Sequence, residues 1–337
     1  MKTVLILGAG GRFGRHAAEA FATAGWSVRR LIRPGGAPAA DGIVADPFDG
    51  VALTRAAAGA DLIVNALNPA YPDWARDVPR LTCAVIAAAT AHDLPVLIPA
   101  NVYPYGADMP PVLRTETPHR ARTRKGRIRI AMEQAYREAG VRTILLRAGD
   151  FLDTRTSGNW FESHVAAKPG TVRYPGPLDI PHEWAFLPDL ARAAVALASR
   201  DDLPRFADIP FAGYGVTGAE LVAALERATG QPQRVKPFPW LALRAMALVS
   251  PLMREVLEMR YLWQVPHRID PAETARWLPD FEPTPLVEAL RQGPQGQSTS
   301  TQMSRWSETS TSSAPSVPGA GQNTPASSTS SVASGST

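Results

Sequence analysis

The stretch Thr3-Val4-Leu5-Ile6-Leu7-Gly8-Ala9-Gly10-Gly11-Arg12-Phe13-Gly14-Arg15 decides the fold. Residues 3–7 are aliphatic or β-branched with no polar alternation, the pattern of a parallel strand buried on both faces. From Arg12 to Ala24 apolar residues recur at helical spacing, with Ala17, Ala20, Phe21 and Ala24 on one side. Between strand and helix stand Gly8, Gly10, Gly11 and Gly14. Glycine permits positive φ in the turn and close approach of a ligand, while a helix start offers free N–H groups and a positive dipole end. Such a strand–turn–helix is suited to a pyrophosphate and reads as a dinucleotide site. Phe13 stands where the third glycine of G-x-G-x-x-G would fall, and the spacing is G-x-x-G-x-x-G through Gly8, Gly11 and Gly14.

The next strand, Ser27–Ile32, bears on which dinucleotide is bound. A carboxylate at its end would bind a ribose 2′-hydroxyl. No acidic residue occurs between Glu19 and Asp41, and Arg33 stands at the strand end, with Arg12 in the glycine turn. Two guanidiniums can fork onto a 2′-phosphate, which favours NADP(H), with NAD(H) as the alternative.

Strand and helix patterns alternate through the first half. Further strands are expected at 43–45, 61–66, 95–99 and 141–147, with helices at 51–58, 74–92 and 125–139. Six strands with helical crossovers make an α/β, doubly wound parallel sheet over residues 1–150. From Gly149 onward Pro and Trp become frequent and short extended pieces appear at 171–174 and 206–211, which predicts a smaller substrate lobe over 151–292, partly interleaved with the sheet. Helices are expected there at 187–199, 218–229 and 240–249. Residues 293–337 are Ser/Thr-rich with little apolar content and are expected to be disordered.

The bulk numbers exclude some classes. The 337 residues hold one cysteine, Cys83, so no intramolecular disulfide forms, and its apolar helical run predicts a core position. No charged-then-apolar leader opens the sequence and no apolar run has membrane-spanning length, from which a cytoplasmic protein with no membrane partner is expected. A net charge of +4 is too mild to argue for a nucleic-acid partner.

Taken in order, several short motifs resemble the extended short-chain dehydrogenase/reductases, the NAD(P)-dependent epimerase/dehydratase group, over roughly residues 1–292. They are Gly8-x-x-Gly11-x-x-Gly14, Asp46, Asn65-Ala66-Leu67-Asn68, Tyr105-Gly106 with Glu116-Thr117-Pro118, Arg147-Ala148-Gly149-Asp150, Pro175-Gly176-Pro177 and Trp184-Ala185-Phe186-Leu187-Pro188-Asp189-Leu190-Ala191. The resemblance implies a Rossmann fold, an adenine contact at Asp46 and a cofactor-lining backbone at Asn65, Ala66 and Leu67. It also implies a Tyr-x-x-x-Lys pair, and there this chain departs: none of its seven tyrosines has Lys four residues later. Aligning Glu133 with the glutamate that commonly follows that pair puts Lys125 at the tyrosine position, Arg129 at the lysine position and Asn101 near the serine.

Residues 120–129 hold six basic side chains in ten positions. On the catalytic helix implied by the resemblance, Arg129 can hold a ribose as a fixed cation, but guanidinium stays protonated and is a poor proton donor. Lys125 becomes a donor if neighbouring cations depress its pKa. Tyr103 and Tyr105, in the loop after the fifth strand, are the other donor candidates, with packing as their rival role. His119 and His182 are read as loop residues. No cluster of metal-ligand spacing and no Gly-x-Ser-x-Gly elbow appears in the sequence, so no metal is expected. The aromatic and charged run 258–268 reads as interior packing or as pocket lining. Two functions follow: an NADP(H)-dependent oxidoreductase or epimerase-like enzyme on a small carbonyl or sugar-type substrate, or a non-catalytic NADP(H) sensor resembling NmrA-like regulators. A homodimer is the expected assembly in either case.

Overall fold

The computed structural model describes residues 1–37 and 39–295; the expected disordered tail lies, from residue 296 onward, outside the described residues. The chain opens with β1 (Thr3–Leu7), α1 (Arg12–Thr23), β2 (Ser27–Ile32), β3 (Gly42–Val44), α2 (Gly50–Ala57), β4 (Leu62–Asn65), α3 (Trp74–Ala91) and β5 (Val96–Asn101). It continues through β6 (Val112–Leu113), α4 (Arg124–Glu138), β7 (Thr143–Ala148), β8 (Asp150–Leu152), β9 (Thr171–Tyr174) and β10 (Pro181–Phe186). Then come α5 (Leu187–Ala198), β11 (Phe206–Pro210), β12 (Tyr214–Thr217), α6 (Gly218–Thr229), β13 (Arg234–Pro237), α7 (Trp240–Met246) and α8 (Pro251–Glu258). The described chain closes with β14 (Arg268–Ile269), α9 (Pro271–Trp277) and α10 (Leu286–Gln292).

Seven strands form one parallel sheet in the order β11-β7-β5-β4-β1-β2-β3. Successive residues of β1 feed opposite layers, as strand pleating requires. Val4 and Ile6 pack with Ala17 and Phe21 of α1 and Leu190 of α5. Leu5 and Leu7 join Leu53 of α2, Val85 of α3 and Met132 of α4. Burial on both faces is why β1 reads as an unbroken aliphatic run.

The sequence pattern predicts six strands in this sheet; the seventh is β11, a stretch whose pattern assigns it to the lobe. It pairs with β7 from Phe206↔Thr143 to Pro210↔Arg147. As the outermost strand it tolerates a terminal proline, and its short, proline-ended pattern hides its membership of the sheet. The remaining strands form small sheets, β12-β10-β8, β13-β9 and β14-β6. The first continues from β7 beyond the carboxyl ends of the main strands. α6 is capped at both ends: Thr217 and Glu220 form a reciprocal capping box, and Gly230 closes it at φ +67°.

Two details differ from expectation. Cys83 is exposed: the buried positions of α3 include Val78, Leu81, Thr82 and Val85, and residue 83 falls on the outward side of the turn. Residues 293–295, assigned by composition to the tail, still touch the body, since Gln295 Nε2 donates to Ala166 O at 3.3 Å. No helix among the described residues is long and apolar enough to cross a membrane.

Candidate active site

The glycines of the first turn divide into two roles. Gly8 sits at φ +77°, and a Cβ there would lie 2.8 Å from the Ala66 carbonyl oxygen. A Cβ on Gly14 would lie 2.2 Å from Gly8 O, so no other residue lets α1 pack this close to the turn. By contrast, a Cβ on Gly10 would meet nothing within 4 Å. Gly8 and Gly14 thus draw the turn, helix and Ala66–Leu67 backbone together, while Gly10 faces open space. Gly11 N donates to Gly8 O at 2.9 Å and Gly11 caps α1, which has no side-chain cap and no acidic residue in its first turn. The positive end of α1 is therefore not neutralised by its own helix, and the cradle fits a phosphate-bearing dinucleotide.

Other residues singled out in the sequence have side chains with structural work. Phe13 turns away from the cradle into the core, 4% exposed. Asn65 donates from Nδ2 to the Tyr136 hydroxyl at 3.1 Å and accepts from Leu67 N at 3.3 Å, which fixes the loop rather than presenting the amide to a ligand. Asp46 is exposed beyond β3, where its Oδ1 accepts from Phe48 N at 3.0 Å. Arg12 donates to the carbonyls of Ser157 (3.0 Å) and Gly158 (2.6 Å), tying the cradle to the segment after β8. The expected two-arginine fork is thereby reduced: Arg33 stands exposed at the end of β2 and makes no ion pair among the described residues.

Lys125 does not meet the condition set for a proton donor. Thr123 caps α4 through Gly126 N at 3.2 Å, and Lys125 turns into the interior. Its Nζ donates to Glu255 O at 2.9 Å, to Glu258 Oε2 at 2.6 Å and to Glu255 Oε2. Carboxylates, not cations, surround it, and all three ammonium hydrogens are taken. One turn on, Arg129 is buried with its guanidinium 4.3 Å from the Trp74 ring centroid and its NH2 2.9 Å from Asn68 Oδ1. Its Nε has no partner.

Tyr103 is buried and shares a 2.9 Å hydroxyl–hydroxyl hydrogen bond with Tyr71, a residue that sequence reasoning missed. Lys125 Nζ lies 5.0 Å from the centroid of the Tyr71 ring. Burial pushes both phenols upward, Tyr103 well above its ordinary value; at Tyr71 the hydrogen bond and the charges of Arg12 and Arg129 work against that rise. Both phenols therefore hold their protons at neutral pH, as a donor must. Tyr105 is also buried and raised by desolvation, its hydroxyl unpartnered, with its ring 5.1 Å from that of His119. Asn101 Oδ1 accepts from Tyr103 N at 3.1 Å and so orients the donor loop.

Arg147 joins this end of the sheet together. Its five N–H groups reach Asn101 O, both oxygens of Glu133 and both of Asp208, at 2.6–3.1 Å. His119, Glu133 and Asp208 bring ligand atoms within 4.8 Å of one another, but the guanidinium already bridges both carboxylates. On the lobe side, His182 is a buried residue of β10 rather than a loop histidine. Its Nε2 lies 3.0 Å from Asp150 Oδ2, and its ring stacks on Trp263 at 4.1 Å and 4°. Trp263 is itself buried, so at this residue the 258–268 run packs the interior. Burial raises Tyr71, Tyr103, Tyr174 and Tyr261, and the Asp150 carboxylate adds to the rise at each.

Neither a protein-family model nor a curated protein sequence matches the chain. Solved structures do. A protein of Burkholderia cenocepacia J2315 assigned as an epimerase superposes with TM-score 0.70 at 19% identity, over 89% of this chain and 98% of that one. The UDP-glucose-4-epimerase of Stenotrophomonas maltophila, with bound NAD and formylated UDP-arabinopyranose, gives 0.68 at 17% over 91% and 100%. The L-threonine dehydrogenase of Phytophthora infestans gives 0.67 at 16% over 90% and 100%. The parallel sheet, the glycine cradle at its carboxyl edge and these superpositions agree: the chain has the Rossmann-type fold of epimerase and dehydrogenase structures.

Proposed function

We propose that this protein binds NADP(H) at the Gly8–Gly14 cradle and acts as an oxidoreductase or epimerase-like enzyme on a small carbonyl or sugar-type substrate. One observation carries the reading: Gly8 and Gly14 lock turn, helix and Ala66–Leu67 together while Gly10 stays open beside a helix start with no side-chain cap. The solved epimerase with bound NAD supports a nicotinamide dinucleotide in this cradle by likeness of fold. A nicotinamide dinucleotide, when bound, supplies hydride exchange. Backbone N–H groups of α1 hold its pyrophosphate, and Arg33, with no carboxylate at the end of β2, favours a 2′-phosphate. Arg129 is the fixed cation for the ribose side. Tyr103, held through its backbone by Asn101 and hydrogen-bonded to Tyr71, is the proton donor, and its raised pKa keeps it in the protonated form a donor needs at neutral pH.

Titration of the protein with NADPH and NADH by fluorescence tests the cofactor reading. Tighter NADPH binding is expected, and Arg33→Ala should weaken it selectively by about 1.5–3 kcal/mol, the worth of one hydrogen bond to a charged group. Equal affinity for the two cofactors refutes the assignment. In a screen of carbonyls and sugar nucleotides, Tyr103→Phe should lower turnover and leave NADPH affinity intact. The second reading, a non-catalytic sensor, is favoured by Lys125, whose burial between two carboxylates removes the usual pair's chemistry. Absence of turnover, with binding that tracks the NADP⁺/NADPH ratio, replaces the enzyme with the sensor.

A further inference from the structure

The segment from β13 to the first turns of α8 carries a surface that the dinucleotide reading does not use. Leu241, Leu248 and Val249 are 80%, 84% and 85% exposed, and Met246 and Leu252 are exposed beside them. No residue of α7 is buried. At its base Trp240 Nε1 donates to Pro175 O at 2.8 Å and the Trp240 ring meets Arg260 at 5.2 Å, while Leu243 is half-buried and Ala247 is buried on the opposite side from the exposed residues. A helix with this many apolar side chains in water has its partner elsewhere.

Charge selects the partner. Between residues 234 and 254 stand Arg234, Lys236, Arg244 and Arg254, and no acidic residue. The first acids, Glu255 and Glu258, are taken by Lys125 and Arg124. Two copies of such a face meeting about a two-fold axis would bring like charges together in a desolvated contact, whereas an anionic lipid surface complements them. We propose that α7 and the 247–252 turn dock this protein on an anionic lipid surface, with Leu241, Leu248 and Val249 entering the headgroup boundary and the four cations facing it. The sequence expectation of no membrane partner rested on the lack of a spanning run; a helix that lies on a bilayer needs none.

Co-sedimentation of the full chain with phosphatidylcholine vesicles, with and without phosphatidylglycerol, tests the proposal. Binding is expected with phosphatidylglycerol and should fall as salt rises. It should fall roughly tenfold or more in Leu248→Asp/Val249→Asp, as expected when charges enter the apolar face. Arg244→Glu, on the exposed face of α7, is a second variant and should weaken binding less. Unchanged thermal melts would show that the variants fold. No binding to the anionic vesicles, or equal binding by the double variant, overturns the proposal. So does a lipid-free dimer in sedimentation velocity that the double variant converts to monomer, because the face then belongs to a second copy.

Discussion

His267 and Glu183 lie near one another in the lobe and titrate in opposite senses. His267 is 1% exposed; its Nδ1 bonds Val265 O at 3.0 Å, which leaves Nε2 without a partner. Burial, aided by the neighbouring His182, pushes its imidazole down to about 3. Burial pushes the Glu183 carboxyl up to about 7, against the Ile269 and Gly213 N–H groups and the charge of Arg268. For His267 the unfolded chain binds more protons below its ordinary value of 6.5, so stability is lost as pH falls. For Glu183 the folded chain binds more protons, so stability is present at low pH and is lost as pH rises through about 7. At about pH 5 the histidine is 1.5 units below its ordinary value and costs ~2 kcal/mol, while the carboxyl returns ~2.7 kcal/mol over the two units from 7. The two largely offset each other. His267→Leu removes one side of the balance: the stability of the variant relative to wild type should rise by ~2 kcal/mol between about pH 7.5 and about pH 5. Urea unfolding of both proteins across that range measures the difference, in which groups common to both cancel. The lost Val265 hydrogen bond adds only a constant. A difference that stays level with pH refutes a buried neutral His267.

Other expectations follow from the same geometry. Arg147→Met leaves Glu133 and Asp208 buried without their cation and should cost about 3–5 kcal/mol in chemical unfolding. Gly14→Ala drives a Cβ against Gly8 O at 2.2 Å and should destabilise by ~1–3 kcal/mol while sharply weakening dinucleotide binding, read by calorimetry. Lys125→Met should loosen α8, read as faster hydrogen exchange over residues 251–258, and leave NADPH affinity unchanged because the cradle lies elsewhere. Deleting residues 296–337 should leave the thermal melt unchanged, since their composition offers little apolar surface to bury.

The cradle was legible because it is local: strand, turn and helix are consecutive, and Gly8, Gly11 and Gly14 each answer a contact within a few residues or with the adjacent strand end. The proton-holding pair was not. Tyr71 meets Tyr103 across 32 positions, and nothing in Asn68-Pro69-Ala70-Tyr71-Pro72-Asp73-Trp74 announces that meeting beyond its aromatic density. The fate of Lys125 was hidden in the same way, because Glu255 and Glu258 lie 130 and 133 positions away. Periodicity reports which face of a helix is buried, and it cannot report which charge waits there. The alignment that put Lys125 and Arg129 at the catalytic positions placed both on α4, and it gave no sign that Lys125 would be held by two carboxylates.

That outcome has a structural logic. α4 uses successive turns for different tasks: Lys125 and Arg124 hold α8 through Glu255 and Glu258, Arg129 lies on Trp74, and Glu133 bridges to Arg147 at the sheet's carboxyl edge. The Arg124 and Lys125 ion pairs fasten α8 to the start of α4, where the family resemblance implies a tyrosine. In the neighbouring loop Tyr103 and Tyr71 share a hydrogen bond, with Lys125 over the Tyr71 ring but bonded elsewhere. α8 runs from this clamp back to the exposed Leu252, Val249 and Leu248, so part of the surface proposed to meet lipid adjoins the helix that Lys125 holds. An interaction at that turn acts on a helix whose other end is bonded to the candidate active site.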